Sequence, residues 1–170
     1  MTSQAIVVMA PQSPNLGSQV ASVFLAGTTT STGNPDWRQV VTGALANYPI
    51  TILNPNRPDW DSTWREDFSD NRWVEQVSWE LDMQEAADII VFMLHEVTEA
   101  PISLMELGLA VRTKSVIVCA HPNYRKRGNV DAVCRMFGVK LLSTQEELVD
   151  CLIETLEEVK VTKPKGMLSS

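Results

Sequence analysis

Short apolar runs alternate along this chain with longer segments in which apolar residues recur every three or four positions. The short runs have the length of β-strands, and their continuous hydrophobicity predicts that most are covered on both faces. The longer segments have the period of an amphipathic α-helix. The predicted strands are 22–27, 50–53, 88–94, 115–120 and 139–142, and the predicted helices are 36–47, 72–87, 102–113, 130–137 and 144–159.

Strand and helix alternate five times, which predicts right-handed crossovers in a parallel sheet. The expected fold class is therefore α/β: a single-domain, doubly wound, five-stranded parallel sheet, flavodoxin-like or Rossmann-like, with helices on both faces. Residues that break regular structure predict a flexible N-terminal tail over 1–20, the domain over 21–160 and a C-terminal tail over 161–170. Ligands of such sheets bind beyond the carboxyl ends of the strands.

The amino-acid composition limits the classes of protein to which this chain can belong. With 170 residues, 44% of them hydrophobic, the chain can bury one substantial core. A net charge of −7 repels phosphate backbones, so we expect no polymeric nucleic acid as a partner. The apolar runs are too short to span a membrane and the start lacks a secretory signal, which predicts a cytoplasmic protein. Three widely spaced cysteines indicate reduced core thiols rather than a zinc site.

A run of small polar residues, 27–34, follows the first predicted strand. Small residues let backbone N–H groups and hydroxyls approach an anion or a sugar, although a purely structural turn is the alternative. The run also resembles the phosphate loop of flavodoxins, except that Pro35 stands where a hydroxyl residue is expected. Its candidate substrate-binding residues are Gly27, Thr28, Thr29 and Thr30.

A long loop, 54–70, follows the second predicted strand and carries two tryptophans. Loops of this length in a compact domain are usually functional or disordered. Either Trp60 or Trp64 can stack on a nucleobase, and the alternative is that both anchor the loop to the core. The polar candidates for holding base edges or sugar hydroxyls are Asn54, Arg57, Asp59 and Asp61.

Two glutamates are candidate catalytic carboxyls. Glu80 lies on the flank of the apolar stripe of its helix, which predicts a half-buried position, although a solvated helix charge is the more common case. Pro101 suits a first helical turn, which places Glu106 in the second turn, where the helix dipole favours an ionised carboxylate. Such a carboxylate can attack an anomeric carbon, and an ion-paired or capping role is the alternative. Gly108 in the helix interior predicts close packing on the sheet.

His95 and His121 each follow a predicted strand directly. Either can contact substrate or titrate near neutral pH. Their spacing in the sequence does not predict a set of metal ligands. Of the two, we include His95 among the substrate-binding candidates.

Three motifs occur in order along about half of the chain. They are Phe24-Leu-Ala-Gly27, Trp79-Glu-Leu-Asp-Met-Gln-Glu-Ala-Ala-Asp88 and Met105-Glu-Leu-Gly-Leu-Ala110. Together they resemble the nucleoside 2-deoxyribosyltransferase-like family, which includes nucleotide N-glycosidases. The resemblance implies that Glu106 is the nucleophile that forms a glycosyl-enzyme intermediate. It also implies that Glu80 protonates and holds the base.

Two positions differ from the family pattern. Family members carry Asp where this chain has Glu80, and a second Asp of the transferases falls at Ala100, with Glu99 and Ser103 nearby. Ser103 is therefore a further substrate-binding candidate. The resemblance implies a nucleoside or nucleoside 5′-monophosphate as substrate, with water or a second base as acceptor, and neither a cofactor nor a metal. It also implies a homodimer or higher homo-oligomer in which a neighbouring subunit completes the site.

Three other functions remain open from the sequence. The Thr-rich loop and the acidic charge also suit an FMN-binding electron carrier. The departures at Glu80 and Ala100 also suit a non-catalytic nucleotide-binding module of the same fold. A hydrolase of NAD or ADP-ribose conjugates is the third alternative.

Overall fold

The computed structural model describes residues 4–162, which form one parallel sheet with helices on both faces. The strands are β1 (Ile6–Met9), β2 (Ala21–Gly27), β3 (Ile50–Asn54), β4 (Ile89–Leu94), β5 (Ser115–Ala120) and β6 (Leu141–Leu142). The helices are α1 (Trp37–Ala44), α2 (Asn71–Ala86), α3 (Pro101–Ala110), α4 (Arg127–Met136) and α5 (Gln145–Thr162), with a short 3₁₀ helix at Leu16–Ser18.

The sheet has six strands in the order β1-β3-β2-β4-β5-β6, so the prediction of five strands is wrong. The additional strand, β1, lies inside the segment predicted as a tail and pairs in parallel with the outer edge of β3, Ile6 opposite Thr51. A run of four apolar residues is too short to predict a strand from sequence. This run forms a strand because it pairs with the edge of β3. At the other terminus α5 continues to Thr162, and the remainder of the predicted C-terminal tail lies outside the described residues.

Helices cover the sheet on both faces, as the sequence predicts. One core cluster joins alternate strand residues such as Phe24 and Phe92 to residues of α2, α3 and α4. The other joins the intervening residues, among them Leu25 and Val91, to α1 and α5. Strand residues that point either way are therefore buried, which is why the apolar runs are continuous.

The order of the strands reverses between β2 and β4. The chain leaves β2 toward β3 on one side and returns through α2 to β4 on the other. The loops that follow β2 and β4 therefore diverge and leave a crevice at the carboxyl ends of these two strands. Among residues 4–162, no helix has the length and hydrophobicity needed to cross a membrane.

Candidate active site

A cleft of about 790 Å³ opens at the carboxyl ends of β2 and β4. Its walls come from the loop after β2, the loop after β3, and the facing sides of α2 and α3. Most of the predicted site residues line this cleft: Gly27, Thr28, Thr29, Trp60, Glu80, Ser103 and Glu106.

Four predicted substrate-binding residues, Thr30, Asn54, Asp61 and His95, are not among the residues that line the cleft, and their roles stay predictions. Oδ1 of Asn54 accepts a hydrogen bond from the backbone N–H of Asn56 at 3.0 Å. Oδ1 of Asp61 likewise accepts from the N–H of Thr63 at 2.7 Å. These two side chains shape the loop after β3, because residues of this type bond readily to nearby backbone.

Gly27 and Thr28 join the ends of β2 and β4. Gly27 has φ of +126°, and a Cβ atom at that position would lie 2.1 Å from the carbonyl oxygen of Met93. Thr28 donates its N–H to the same oxygen at 2.8 Å, and its hydroxyl accepts from the N–H of His95 at 2.9 Å. The Thr28 hydroxyl is therefore engaged within the fold, whereas Thr29 is exposed at the cleft.

The two tryptophans of the long loop have different environments. Trp64 is buried, with the guanidinium groups of Arg57 and Arg72 at 4.8 and 5.2 Å from its ring. Trp60 contacts Trp64 with ring centroids 4.6 Å apart and is itself 43% exposed at the cleft. Trp64 is thus packed inside the loop, whereas the ring of Trp60 lies partly exposed at the cleft.

Glu106 lies in the second turn of α3 and is only 8% exposed. Its Oε1 accepts a hydrogen bond of 2.7 Å from Nε2 of Gln84 on α2. The pKa of Glu106 is raised to about 7, chiefly by burial and in addition by the negative charge of Glu80, whereas the Gln84 hydrogen bond and the charge of Arg38 act in the opposite direction. Burial therefore works against the ionised carboxylate that the position in the first turns of α3 predicts, and the role of Glu106 as nucleophile stays a prediction.

Glu80 is the second carboxyl of the cleft; it is half-buried as predicted, and burial also raises its pKa. Its Oε1 accepts a hydrogen bond of 2.7 Å from Nε2 of Gln76, which also donates to the carbonyl oxygen of Pro55 at 2.8 Å. A carbonyl oxygen can only accept, so the Pro55 contact fixes which end of the Gln76 amide faces Glu80. Each cleft carboxyl thus has one oxygen held by a glutamine N–H group.

The two glutamines are not among the predicted site residues, although their spacing in the sequence places them on the same helix face as Glu80. Gln76, Glu80 and Gln84 follow each other at intervals of four residues, which places them along one face of α2. This face turns toward the cleft, because Gln76 and Glu80 line it and Gln84 reaches across to Glu106.

Arg38 is another cleft residue that sequence analysis did not identify. Its side chain is 1% exposed and donates to the carbonyl oxygens of Leu25, Gly27 and Thr28 at 3.1, 3.1 and 2.9 Å. Burial lowers the pKa of Arg38 to about 10, so it stays charged at neutral pH. Its charge lowers the pKa of both Glu80 and Glu106. Arginine side chains are rarely buried, and no local sequence pattern predicts that this one is.

The amino end of α3 contributes Pro101, Ile102 and Ser103 to the cleft wall. Pro101 occupies the first turn as predicted, and Ala100 before it has φ of +43°, the left-handed region. Ser103 is buried in the cleft wall. Gly108 is exposed, and a methyl group on its Cα would meet no atom within 4 Å, so the prediction that it packs closely on the sheet is wrong.

A model of the nucleoside 2-deoxyribosyltransferase-like family matches residues 20–124 of this chain. The matched segment contains Arg38, Glu80 and Glu106. No curated protein matches the chain. Among solved structures, the G-domain of FeoB from Methanococcus jannaschii resembles 82% of this chain over 96% of its own length, with 11% sequence identity and a TM-score of 0.41. A likeness this distant says nothing about what the cleft binds.

Proposed function

This chain belongs to the nucleoside 2-deoxyribosyltransferase-like family, and we propose that it cleaves or transfers the N-glycosidic bond of a nucleoside or nucleoside 5′-monophosphate through a glycosyl-enzyme intermediate on Glu106. The observation that carries this proposal is the pair of carboxyls, half-buried Glu80 and buried Glu106, which line one cleft and whose pKa values are both raised. Most enzymes that break a bond at an anomeric carbon use two carboxyl groups in different catalytic roles.

In the first step, ionised Glu106 attacks the anomeric carbon and forms an ester with the sugar. The bond between sugar and base breaks, and its electron pair goes to the base nitrogen. Protonated Glu80 gives its proton to the base, which leaves as a neutral molecule. Because Gln84 and Gln76 hold the Oε1 atoms of the two carboxyls, we assign both roles to the Oε2 atoms.

In the second step, the Glu80 carboxylate takes a proton from water or from an incoming base. The activated acceptor attacks the anomeric carbon, and the ester bond to Glu106 breaks with its electron pair returning to the carboxylate. Water as the acceptor gives hydrolysis, and a second base gives transfer. Both outcomes regenerate the starting protonation state.

Arg38 balances the charge of the cleft through both steps. Before reaction the negative charge is on Glu106, and in the ester intermediate it is on Glu80. The total stays at one negative charge, and the permanent positive charge of Arg38 affects both carboxyls. Its three hydrogen bonds to backbone carbonyl oxygens hold the guanidinium in place. A cation fixed in this way costs no reorganisation when the negative charge moves.

The first step requires a protonated Glu80 and an ionised Glu106 once the substrate is bound. The pKa of Glu106 is raised to about 7, so below neutral pH Glu106 holds a proton. The positive charge that develops on the sugar favours an ionised Glu106, and a base nitrogen close to Glu80 favours a proton there. The negative charge of Glu80 raises the pKa of Glu106, so a proton on Glu80 makes it easier for Glu106 to ionise.

The dimensions of the cleft suit a nucleotide. Its volume of about 790 Å³ lies in the range of small-molecule sites. We assign Trp60 as the surface on which the base stacks, because its ring is exposed at the cleft and is held from behind by Trp64. The exposed hydroxyl of Thr29 and the buried Ser103 are the polar groups assigned to the sugar side.

We also propose that the chain forms at least a homodimer at the mouth of the cleft. Ile102, Met105 and Leu109 form an exposed apolar stripe on α3, and the exposed Leu81 of α2 lies on the same rim. A neighbouring subunit on this surface would close the cleft and supply the sugar-binding group that Ala100 does not provide. Sedimentation velocity tests this, since Met105→Glu with Leu109→Glu would yield a folded monomer from a wild-type oligomer.

The test of the proposed function is release of free base from a panel of nucleosides and 5′-monophosphates, with and without an acceptor base. The matched variant is Glu106→Gln, whose side-chain oxygen still accepts from Gln84. Release by the wild type and loss in the variant support the proposal. Tight nucleotide binding without release by either protein would favour a non-catalytic nucleotide-binding module, and a yellow purified protein would favour the FMN alternative.

A further inference from the structure

The chain has two histidines, and the fold places them side by side outside the catalytic cleft. His95 directly follows β4, and His121 directly follows β5, in neighbouring strands where Leu94 lies opposite Ala120. The N–H of His121 donates to the carbonyl oxygen of Leu94 at 2.8 Å. The two imidazole rings have centroids 4.9 Å apart.

Glu96 completes a cluster of three ligand-type side chains. Its Oε2 lies 3.8 Å from Nδ1 of His121, and the three ligand atoms of His95, Glu96 and His121 all lie within 4.8 Å of one another. Atoms 3.8 Å apart can both bind one cation at about 2.0–2.2 Å, and side-chain rotation has to bring pairs that lie up to 4.8 Å apart to roughly 3.3–3.6 Å for tetrahedral coordination. The side chains of His121 and Glu96 are 31% and 41% exposed, so a cation can enter from solvent.

The backbone shows which nitrogen of each histidine carries a lone pair. Val97 N–H donates to Nδ1 of His95 at 3.3 Å, and Asn123 N–H donates to Nδ1 of His121 at 3.2 Å. Both contacts are longer than the usual 2.9–3.0 Å, so exchanging them for a bond to a cation costs little. A nitrogen that accepts from an N–H group is unprotonated, which is the state that binds a metal.

We propose that His95, Glu96 and His121 bind one divalent transition-metal ion of the zinc class, with water at the remaining positions. Two imidazole nitrogens and one carboxylate oxygen suit Zn²⁺, Co²⁺ or Ni²⁺ better than Mg²⁺ or Ca²⁺, which prefer oxygen ligands. This inference is independent of the proposed function, because none of the three residues lines the cleft.

The bound ion would join two loops that already contact each other. Tyr124 Oη donates to the carbonyl oxygen of Glu99 at 2.6 Å, and Arg125 pairs with the Glu99 carboxylate at 2.6 Å. A cation between Glu96 and His121 adds a third link between these loops. The role we assign to it is structural, because it binds the folded chain in preference to the unfolded one and raises the melting temperature.

The test is titration of the chelator-treated, tag-free protein with Zn²⁺ by calorimetry and with Co²⁺ by absorption spectroscopy. We expect one ion per chain, a higher melting temperature with Zn²⁺, and no comparable effect of Mg²⁺. His95→Asn and His121→Asn each leave an oxygen in place of Nδ1 to accept the backbone N–H, and each should weaken Zn²⁺ binding by about tenfold or more. Glu96→Gln should also weaken Zn²⁺ binding.

Two control variants separate this site from other metal binding. Glu99→Gln changes a carboxyl of the same loop that lies outside the cluster, and Cys151→Ser removes the partly exposed thiol. Both should bind Zn²⁺ as the wild type does. Should a histidine variant fail to fold, protection of the wild-type histidines from diethyl pyrocarbonate by Zn²⁺ gives the answer instead. Absence of binding, binding that survives in the folded His95→Asn/His121→Asn double variant, or Zn²⁺ that leaves both histidines reactive would overturn the proposal.

Discussion

Oε1 of Glu106 accepts a hydrogen bond of 2.7 Å from Nε2 of Gln84, and both side chains are 8% exposed. This bond connects α2 to α3 across the base of the cleft and fixes the orientation of the carboxyl group. A donor to a carboxylate favours its charged form, so Gln84 opposes the burial that raises the pKa of Glu106. The hydrogen bond therefore lowers the pH at which the assigned nucleophile becomes ionised.

Replacing Gln84 with Met should raise the pKa of Glu106, because the variant keeps the bulk of the side chain and removes the donor. The acid limb of the pH profile of base release would then move to higher pH, with the rate recovering above it. Asp82→Asn, on an exposed position of the same helix, is the control and should leave the profile unchanged. An unshifted profile in Gln84→Met would show that the hydrogen bond does not govern ionisation.

Substitutions of Arg38 should separate its charge from its hydrogen bonds. Both Arg38→Lys and Arg38→Gln lose bonds to backbone carbonyls and should melt at lower temperature. Only Arg38→Gln loses the positive charge that lowers the pKa values of Glu80 and Glu106. We therefore expect the pH profile of kcat/KM to shift upward in the Gln variant alone, and equal profiles in the two variants would contradict a role as counter-ion.

The raised pKa of Glu106 predicts a pH-dependent stability. The folded chain keeps this proton up to about pH 7, whereas the unfolded chain loses it near 4.5, so stability falls as pH rises through that interval. Glu106→Gln removes the effect and should stabilise the protein by up to about 3 kcal/mol at pH 8, with little change at pH 4. Urea denaturation of both proteins at pH 4 and at pH 8 measures this difference in the free energy of unfolding.

The control for this stability prediction is Glu146→Gln, which changes an exposed carboxyl of α5. It should have nearly the same effect at both pH values. A gain for Glu106→Gln that is equal at pH 4 and pH 8 would mean that the carboxyl is not held protonated by the fold.

Two glycine variants test the close approach of β2 to β4. Gly27→Ala would place a methyl group against the Met93 backbone and force a strained φ, so it should destabilise the chain by more than about 2 kcal/mol. Gly108→Ala meets no atom within 4 Å and lies in a helix interior, so it should stabilise the chain by about 0.5–1 kcal/mol. Thermal denaturation compares them, and equal effects would show that β2 and β4 do not require a glycine at position 27.

Sequence patterns predict the fold well where burial is continuous. The strands predicted at 22–27, 88–94 and 115–120 agree with β2, β4 and β5 to within one residue, because each is covered on both faces. The pattern misses β1, whose residues Ile6 and Val7 are partly exposed at the sheet edge. Pairing with a distant strand makes this segment a β-strand, and pairing of that kind leaves no periodicity in the sequence.

The site is predictable only in part, for a related reason. Glu80, Glu106 and Trp60 could be found because they stand at strand ends or on helix flanks that the pattern predicts. The places of Asn54 and Asp61 after β3 predict substrate binding, whereas the fold shows that their side-chain oxygens accept hydrogen bonds from backbone groups two residues away. The contribution of Arg38 depends on contacts across the fold, and these are visible only in three dimensions.

A covalent sugar on Glu106 can be detected by intact-protein mass spectrometry after rapid acid quench of wild type and Glu106→Gln mixed with a substrate from the base-release panel. We expect a mass gain equal to one sugar residue on the wild type, mapped to the α3 peptide that contains Glu106, and no gain on the variant. Base release by the wild type with no such adduct, or with an adduct on another residue, would contradict a covalent intermediate on Glu106.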